Sequence, residues 1–112
     1  MDFAHYIGGE WVGDSDVTTN TSPANRDDVI GTYARGDAAR VDQAVSAALA
    51  AQPSWAAASP QLRHDVLERA GALIVERKDE LGRLLAREEG KTIAEAVGET
   101  VRASQVFKFF AG

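Results

Sequence analysis

The spacing of apolar residues divides the chain into a front third of short strands and a longer helical part. In the helical part, one set of apolar residues recurs every three or four positions, which places it on one face of a helix: Leu62, Val66, Ala70, Leu73 and Ile74. Ser59-Pro60 predicts where this helix begins. Serine accepts a hydrogen bond at the N-cap, and proline at the next position has no N–H to satisfy.

A polar trio, Arg77-Lys78-Asp79, interrupts this stripe before the apolar spacing resumes over residues 81–85. The trio is either a break between two helices or the exposed turn of one long helix. We favour a break, because Asp79 can cap a new helix and Gly82 weakens the turn that follows.

The last helix is predicted to begin after Thr92, which forms a capping box with Glu95. Gly90 fits the left-handed position that closes the preceding helix. The apolar face of the last helix ends in aromatic residues: Ile93, Val97, Val101, Val106, Phe107 and Phe110. Phe109 points elsewhere, so we expect apolar surface on more than one side of this helix, as in a chain that is truncated before its partner surface.

The front third predicts two antiparallel hairpin-like units. Residues 5–12 carry Gly8-Gly9 at their centre, which is typical of a two-residue turn of type I′ or II′. Residues 17–21 and 29–34 are predicted strands, joined by turn-forming residues at 22–28. Four strands this short require a partner surface to be stable.

The first helix is predicted to begin at its N-cap, Asp37, and to end near Gln52-Pro53, with Trp55 as an anchor packed between helices. Its apolar face is Val41, Ala44, Val45, Ala48 and Leu49. We therefore expect an α/β protein in which residues 1–36 form short antiparallel hairpins and residues 37–112 form three to four α-helices. Within this segment alone the class is α+β.

Composition excludes several functions. The chain has 112 residues and a net charge of −5, with both signs interleaved along the helices, which argues against nucleic-acid or anionic-membrane binding. It contains no cysteine, which excludes disulfides, cysteine-ligated zinc and thiol nucleophiles. The N-terminus lacks the pattern of a signal peptide and no apolar run reaches membrane-spanning length, so we expect a cytoplasmic location.

No residue has the surroundings of a reaction centre. His5 and His64 lack a partner at metal-ligand spacing. The side chains of Glu88 and Glu89 diverge by about 100 degrees on a helix, so surface charge explains them better than a catalytic carboxylate pair. Lys91 lacks the glycine spacing of a phosphate loop.

Two further features have structural explanations. A hairpin turn accounts for Gly8-Gly9, which could otherwise hold an anion. Packing against further protein accounts for Phe107, Phe109 and Phe110, which could otherwise stack on a ligand. We assign no catalytic, cofactor-binding or metal-ligating residue.

Six segments in order resemble the N-terminal part of the aldehyde dehydrogenase superfamily, and together they cover essentially the whole chain. They are Tyr6-Ile7-Gly8-Gly9-Glu10-Trp11-Val12, residues 22–31, residues 37–58 with Trp55, residues 63–77, Glu88-Glu89-Gly90-Lys91-Thr92, and residues 106–112. The chain departs from the family pattern at Ser22, where asparagine is usual, and at residues 25–28, which lack the usual glycine.

The resemblance implies part of an enzyme that oxidises aldehydes to carboxylic acids with NAD or NADP. Family members are several times longer, and their dinucleotide-binding sheet, catalytic cysteine, general-base glutamate and oxyanion-binding asparagine lie beyond this segment. Without a cysteine, this chain cannot form the thiohemiacetal that the family mechanism requires. We therefore expect residues 1–112 alone to be inactive and to bind no cofactor. The expected partners are the remainder of the enzyme and, in the full homo-oligomeric enzyme, an aldehyde.

Two other hypotheses remain open. The chain could be a free-standing, non-catalytic helical module that binds a partner through Val97, Val101, Phe107 and Phe110. It could also be a small enzyme in its own right, which the absent nucleophile, metal cluster and phosphate loop disfavour.

Overall fold

A computed structural model describes residues 2–112; Met1, the first residue of the predicted hairpin region, lies outside them. Five short strands precede four helices: β1 (Asp2–Phe3), β2 (His5–Ile7), β3 (Glu10–Val12), β4 (Val17–Thr21), β5 (Val29–Ala34), α1 (Ala38–Ala57), α2 (Pro60–Glu76), α3 (Lys78–Glu89) and α4 (Ile93–Ala111). This confirms the predicted α/β class.

The strands form two small sheets. β2 and β3 pair antiparallel around Gly8 and Gly9, whose φ angles of 63° and 88° fit a type I′ turn. The second sheet has the order β1-β5-β4, in which β4 and β5 are antiparallel and β1 is parallel to β5. The sequence did not predict β1, because two residues are too short to show a periodic pattern.

The predicted helix caps are confirmed. Asp37, Ser59 and Thr92 each accept a hydrogen bond from a backbone N–H in the first turn of their helix. Glu95 completes the capping box with Thr92. Gly90 ends α3 with φ 69° and ψ 24°, the left-handed conformation that glycine adopts without strain.

The prediction that the first helix ends near Gln52-Pro53 is wrong, because α1 continues through Pro53 to Ala57. Pro53 removes only one helical bond, the one to the carbonyl of Leu49, and Arg63 of α2 stabilises the turn that follows. Arg63 Nη1 donates to the carbonyl oxygen of Ala58 at 2.6 Å and to that of Ala56 at 3.4 Å. These bonds satisfy carbonyls at the end of α1 that have no helical partner. Trp55 lies in the last turn of α1 and is 42% exposed, so it is not packed between helices as predicted.

The predicted break between α2 and α3 is confirmed, although Asp79 does not cap the new helix. α3 begins at Lys78 and follows Arg77 directly, without a side-chain cap. Asp79 lies inside the first turn of α3, where a negative charge interacts favourably with the positive end of the helix dipole.

The contact between helices is made by small residues rather than by the large apolar residues that periodicity identifies. α4 packs against both α2 and α3. Its buried positions, Ala96, Thr100 and Ser104, are four residues apart, and Ser104 Oγ donates to the carbonyl oxygen of Gly71 at 2.9 Å. Of the residues on the predicted apolar face of α4, Val97 contacts Gly82 of α3, whereas Ile93 is exposed.

The resulting structure is flat. It measures 48 × 35 × 16 Å, with a radius of gyration of 16.8 Å, against about 13 Å for a compact domain of this length. A layer about 16 Å thick holds little more than one layer of helices. No helix in residues 2–112 combines the length and apolar character needed to cross a membrane.

Candidate functional site

The carboxylate of Glu88 joins the front sheet to α3. Its Oε1 accepts from Tyr33 Oη at 2.9 Å and from Asn20 Nδ2 at 3.1 Å, and the Tyr33 ring stacks on Phe3. Burial, followed by the hydrogen bond to Glu88, raises the pKa of Tyr33 above its usual value. Glu88 is therefore a structural link between β4, β5 and α3 rather than the plain surface charge that the sequence indicated.

A second polar cluster joins the hairpin region to α1. Arg40 donates to both carboxylate oxygens of Asp14, at 2.5 and 3.1 Å, and His5 Nε2 lies 3.0 Å from the same carboxylate. The hydrogen bond from Arg40 lowers the pKa of Asp14. His5 thus has a carboxylate partner nine residues away that spacing alone did not reveal.

The other candidates from the sequence are also held by structural contacts. His64 Nδ1 lies 2.9 Å from the carbonyl oxygen of Ala111 and joins α2 to the end of α4. Glu89 pairs with Lys91 at 2.5 Å, and Lys91 also pairs with Glu99. Glu88 and Glu89 therefore face different partners. Across residues 2–112, no group of three or more histidine and carboxylate side chains is arranged to hold a metal ion.

The helix N-termini do not fit a dinucleotide pyrophosphate. Such a site needs free backbone N–H groups at the start of a helix that follows a strand and a glycine-rich turn. The one described connection from a strand into a helix runs from β5 to α1. There the backbone N–H of Arg40 donates to the side chain of Asp37, which also places a negative charge where a phosphate would lie. The start of α1 therefore does not present the free N–H groups that a dinucleotide pyrophosphate requires.

Large apolar side chains are exposed on three of the four helices. The predicted apolar face of α1 has no buried residue, and its Leu49 is 66% exposed. At the end of α4, Phe109 is 77% and Phe110 71% exposed. We call the following residues the exposed apolar surface: Val41, Val45 and Leu49 on α1, Leu62, Val66 and Leu73 on α2, and Val106, Phe109 and Phe110 on α4. A surface of this kind indicates burial against other protein.

Comparison with known proteins shows relatives along the whole described fold. Residues 11–112 match the aldehyde dehydrogenase family. The chain is 39% identical over 108 residues to the alpha-ketoglutarate semialdehyde dehydrogenase of Haloferax volcanii, covering 95% of this chain and 22% of that protein. It is 40% identical over 112 residues to the betaine aldehyde dehydrogenase of Rhizobium etli, covering 97% of this chain and 23% of that protein.

Solved structures agree with these sequence matches. A mutant form of 1-pyrroline-5-carboxylate dehydrogenase from Thermus thermophilus superposes with a TM-score of 0.95 and 32% identity, covering 98% of this chain and 21% of that chain. An NAD-dependent aldehyde dehydrogenase from Sinorhizobium meliloti superposes with a TM-score of 0.94 and 28% identity, covering all of this chain and 23% of that chain. The chain spans about a fifth of the length of the curated relatives it matches, and on this evidence it belongs to the aldehyde dehydrogenase family.

Proposed function

We propose that residues 1–112 act as the N-terminal scaffold of an NAD(P)-dependent aldehyde dehydrogenase that oxidises aldehydes to carboxylic acids. In this role the segment contributes no catalytic group. Its helices and hairpins cover the part of the enzyme that binds the cofactor and carries the reactive cysteine. The segment alone is inactive and binds no cofactor.

The exposed apolar surface carries this proposal. A thin layer with few buried residues and many exposed large apolar side chains gains its stability from a second layer. The match to solved dehydrogenases supports this arrangement, because nearly all of this chain superposes on about a fifth of theirs.

The relatives support the expected cofactor and substrate class. The 1-pyrroline-5-carboxylate dehydrogenase from Thermus was solved with NAD bound, and an Escherichia coli neighbour is an NADP-dependent enzyme. Relatives that share this segment are named for chemically different aldehydes, so we propose that specificity is determined outside residues 1–112. We propose a homo-oligomeric, cytoplasmic enzyme with no nucleic-acid or membrane partner.

A chimera tests the scaffold role. Residues 1–112 replace the matching segment of the Thermus 1-pyrroline-5-carboxylate dehydrogenase, and NAD reduction is compared among the chimera, the host lacking that segment, and the 112-residue chain alone. We expect activity only in the chimera. NAD reduction by the 112-residue chain would contradict the proposal, as would full activity of the shortened host.

The alternative, a non-catalytic interaction module, rests on Phe107 and Phe110, which are exposed on α4. Amide hydrogen exchange on the 112-residue chain separates the two functions. An autonomous module predicts strong, cooperative protection of both hairpin units and α4. A scaffold predicts weak protection of the strands and only local helix signals, because the layer lacks its partner.

A further inference from the structure

We draw no further inference here: the strongest candidate, the open apolar groove between the β2–β3 hairpin and α1 that Tyr6, Ile7, Ala44 and Ala47 line, carries none, because nothing in the structure shows what covers it.

Discussion

Gly82 of α3 lies directly against Val97 of α4. A Cβ at position 82 would stand 2.5 Å from Val97 Cγ2 and 3.0 Å from both Cα and N of Val97. Because two of these atoms belong to the backbone, the neighbour cannot move aside by a change of rotamer. The closeness of α3 and α4 therefore depends on the absence of a side chain at this position.

We predict that Gly82→Ala destabilises the helical layer by about 1–3 kcal/mol, the usual cost of overpacking, despite the better helix propensity of alanine. Thermal unfolding of the chimera, followed by circular dichroism, measures the effect. Gly98→Ala on α4 is the matched control: a Cβ there meets nothing within 4 Å, so this variant should gain up to about 1 kcal/mol. A neutral Gly82→Ala would show that α3 and α4 separate easily.

Ser104→Ala should destabilise the contact between α2 and α4 by about 1 kcal/mol. The change removes a hydrogen bond from a side chain that is only 2% exposed. Urea unfolding of the chimera provides the measurement. Ser54→Ala is the control, because Ser54 also donates to a backbone carbonyl but on the exposed surface. Equal losses in the two variants would argue against a role for burial.

Glu88→Gln should bring the pKa of Tyr33 closer to its usual value. Glu88 is the second cause of the raised pKa after burial, so some elevation should remain. Titration of tyrosinate absorbance in a Tyr6→Phe background reports Tyr33 alone, because the chain has two tyrosines. An unchanged pKa would mean that the link between Tyr33 and Glu88 does not form in solution.

Acid should loosen the contact between the hairpin region and α1. The lowered pKa of Asp14 means that its charged form stabilises the fold at neutral pH, and this contribution is lost as the pH falls below about 4 through the lowered value. In the chimera, the protection factors of the amides in β2, β3 and the first turn of α1, which correct for the slower intrinsic exchange in acid, should fall over that range. Asp14→Asn should lower these protection factors already at neutral pH.

The exposed carboxylate of Asp16 offers a comparison for this effect. Asp16 pairs with Arg35 at 3.7 Å, with both side chains well exposed. Asp16→Asn should leave the acid profile unchanged. A similar change in both variants would point to net charge rather than the contact between Asp14 and Arg40.

Local rules predicted the ends of elements well, because caps and turns depend on residues close in sequence. Ser59 and Thr92 cap the N-termini of α2 and α4, and Gly90 ends α3, as their residue types and neighbours predict. The extent of α1 could not be predicted in this way, since the bonds that satisfy its last carbonyls come from Arg63 of α2. The rule that proline ends a helix considers only the residues of that helix, so it does not include a hydrogen-bond donor from a neighbouring helix.

The residues that pack between the helices and the hydrogen bonds of Glu88 were not predicted, for a related reason. Hydrophobic periodicity selects large residues, whereas close helix packing here uses Gly71, Gly82 and Ser104. The recurrence of small residues at 96, 100 and 104 was the available signal. The partners of Glu88 are 55 and 68 residues away, a separation that spacing rules do not cover.

Pro53 gives α1 an uneven stiffness along its length. Proline has no N–H to donate to the carbonyl of Leu49, so the helix lacks one internal bond at that point. The first turn is anchored, since Arg40 binds Asp14, while the last turns are tied to α2 by Arg63. The helix is thus held at both ends and bends most easily near Pro53. A movement of the hairpin region relative to the helical layer would bend α1 at Pro53 and leave both attachments intact.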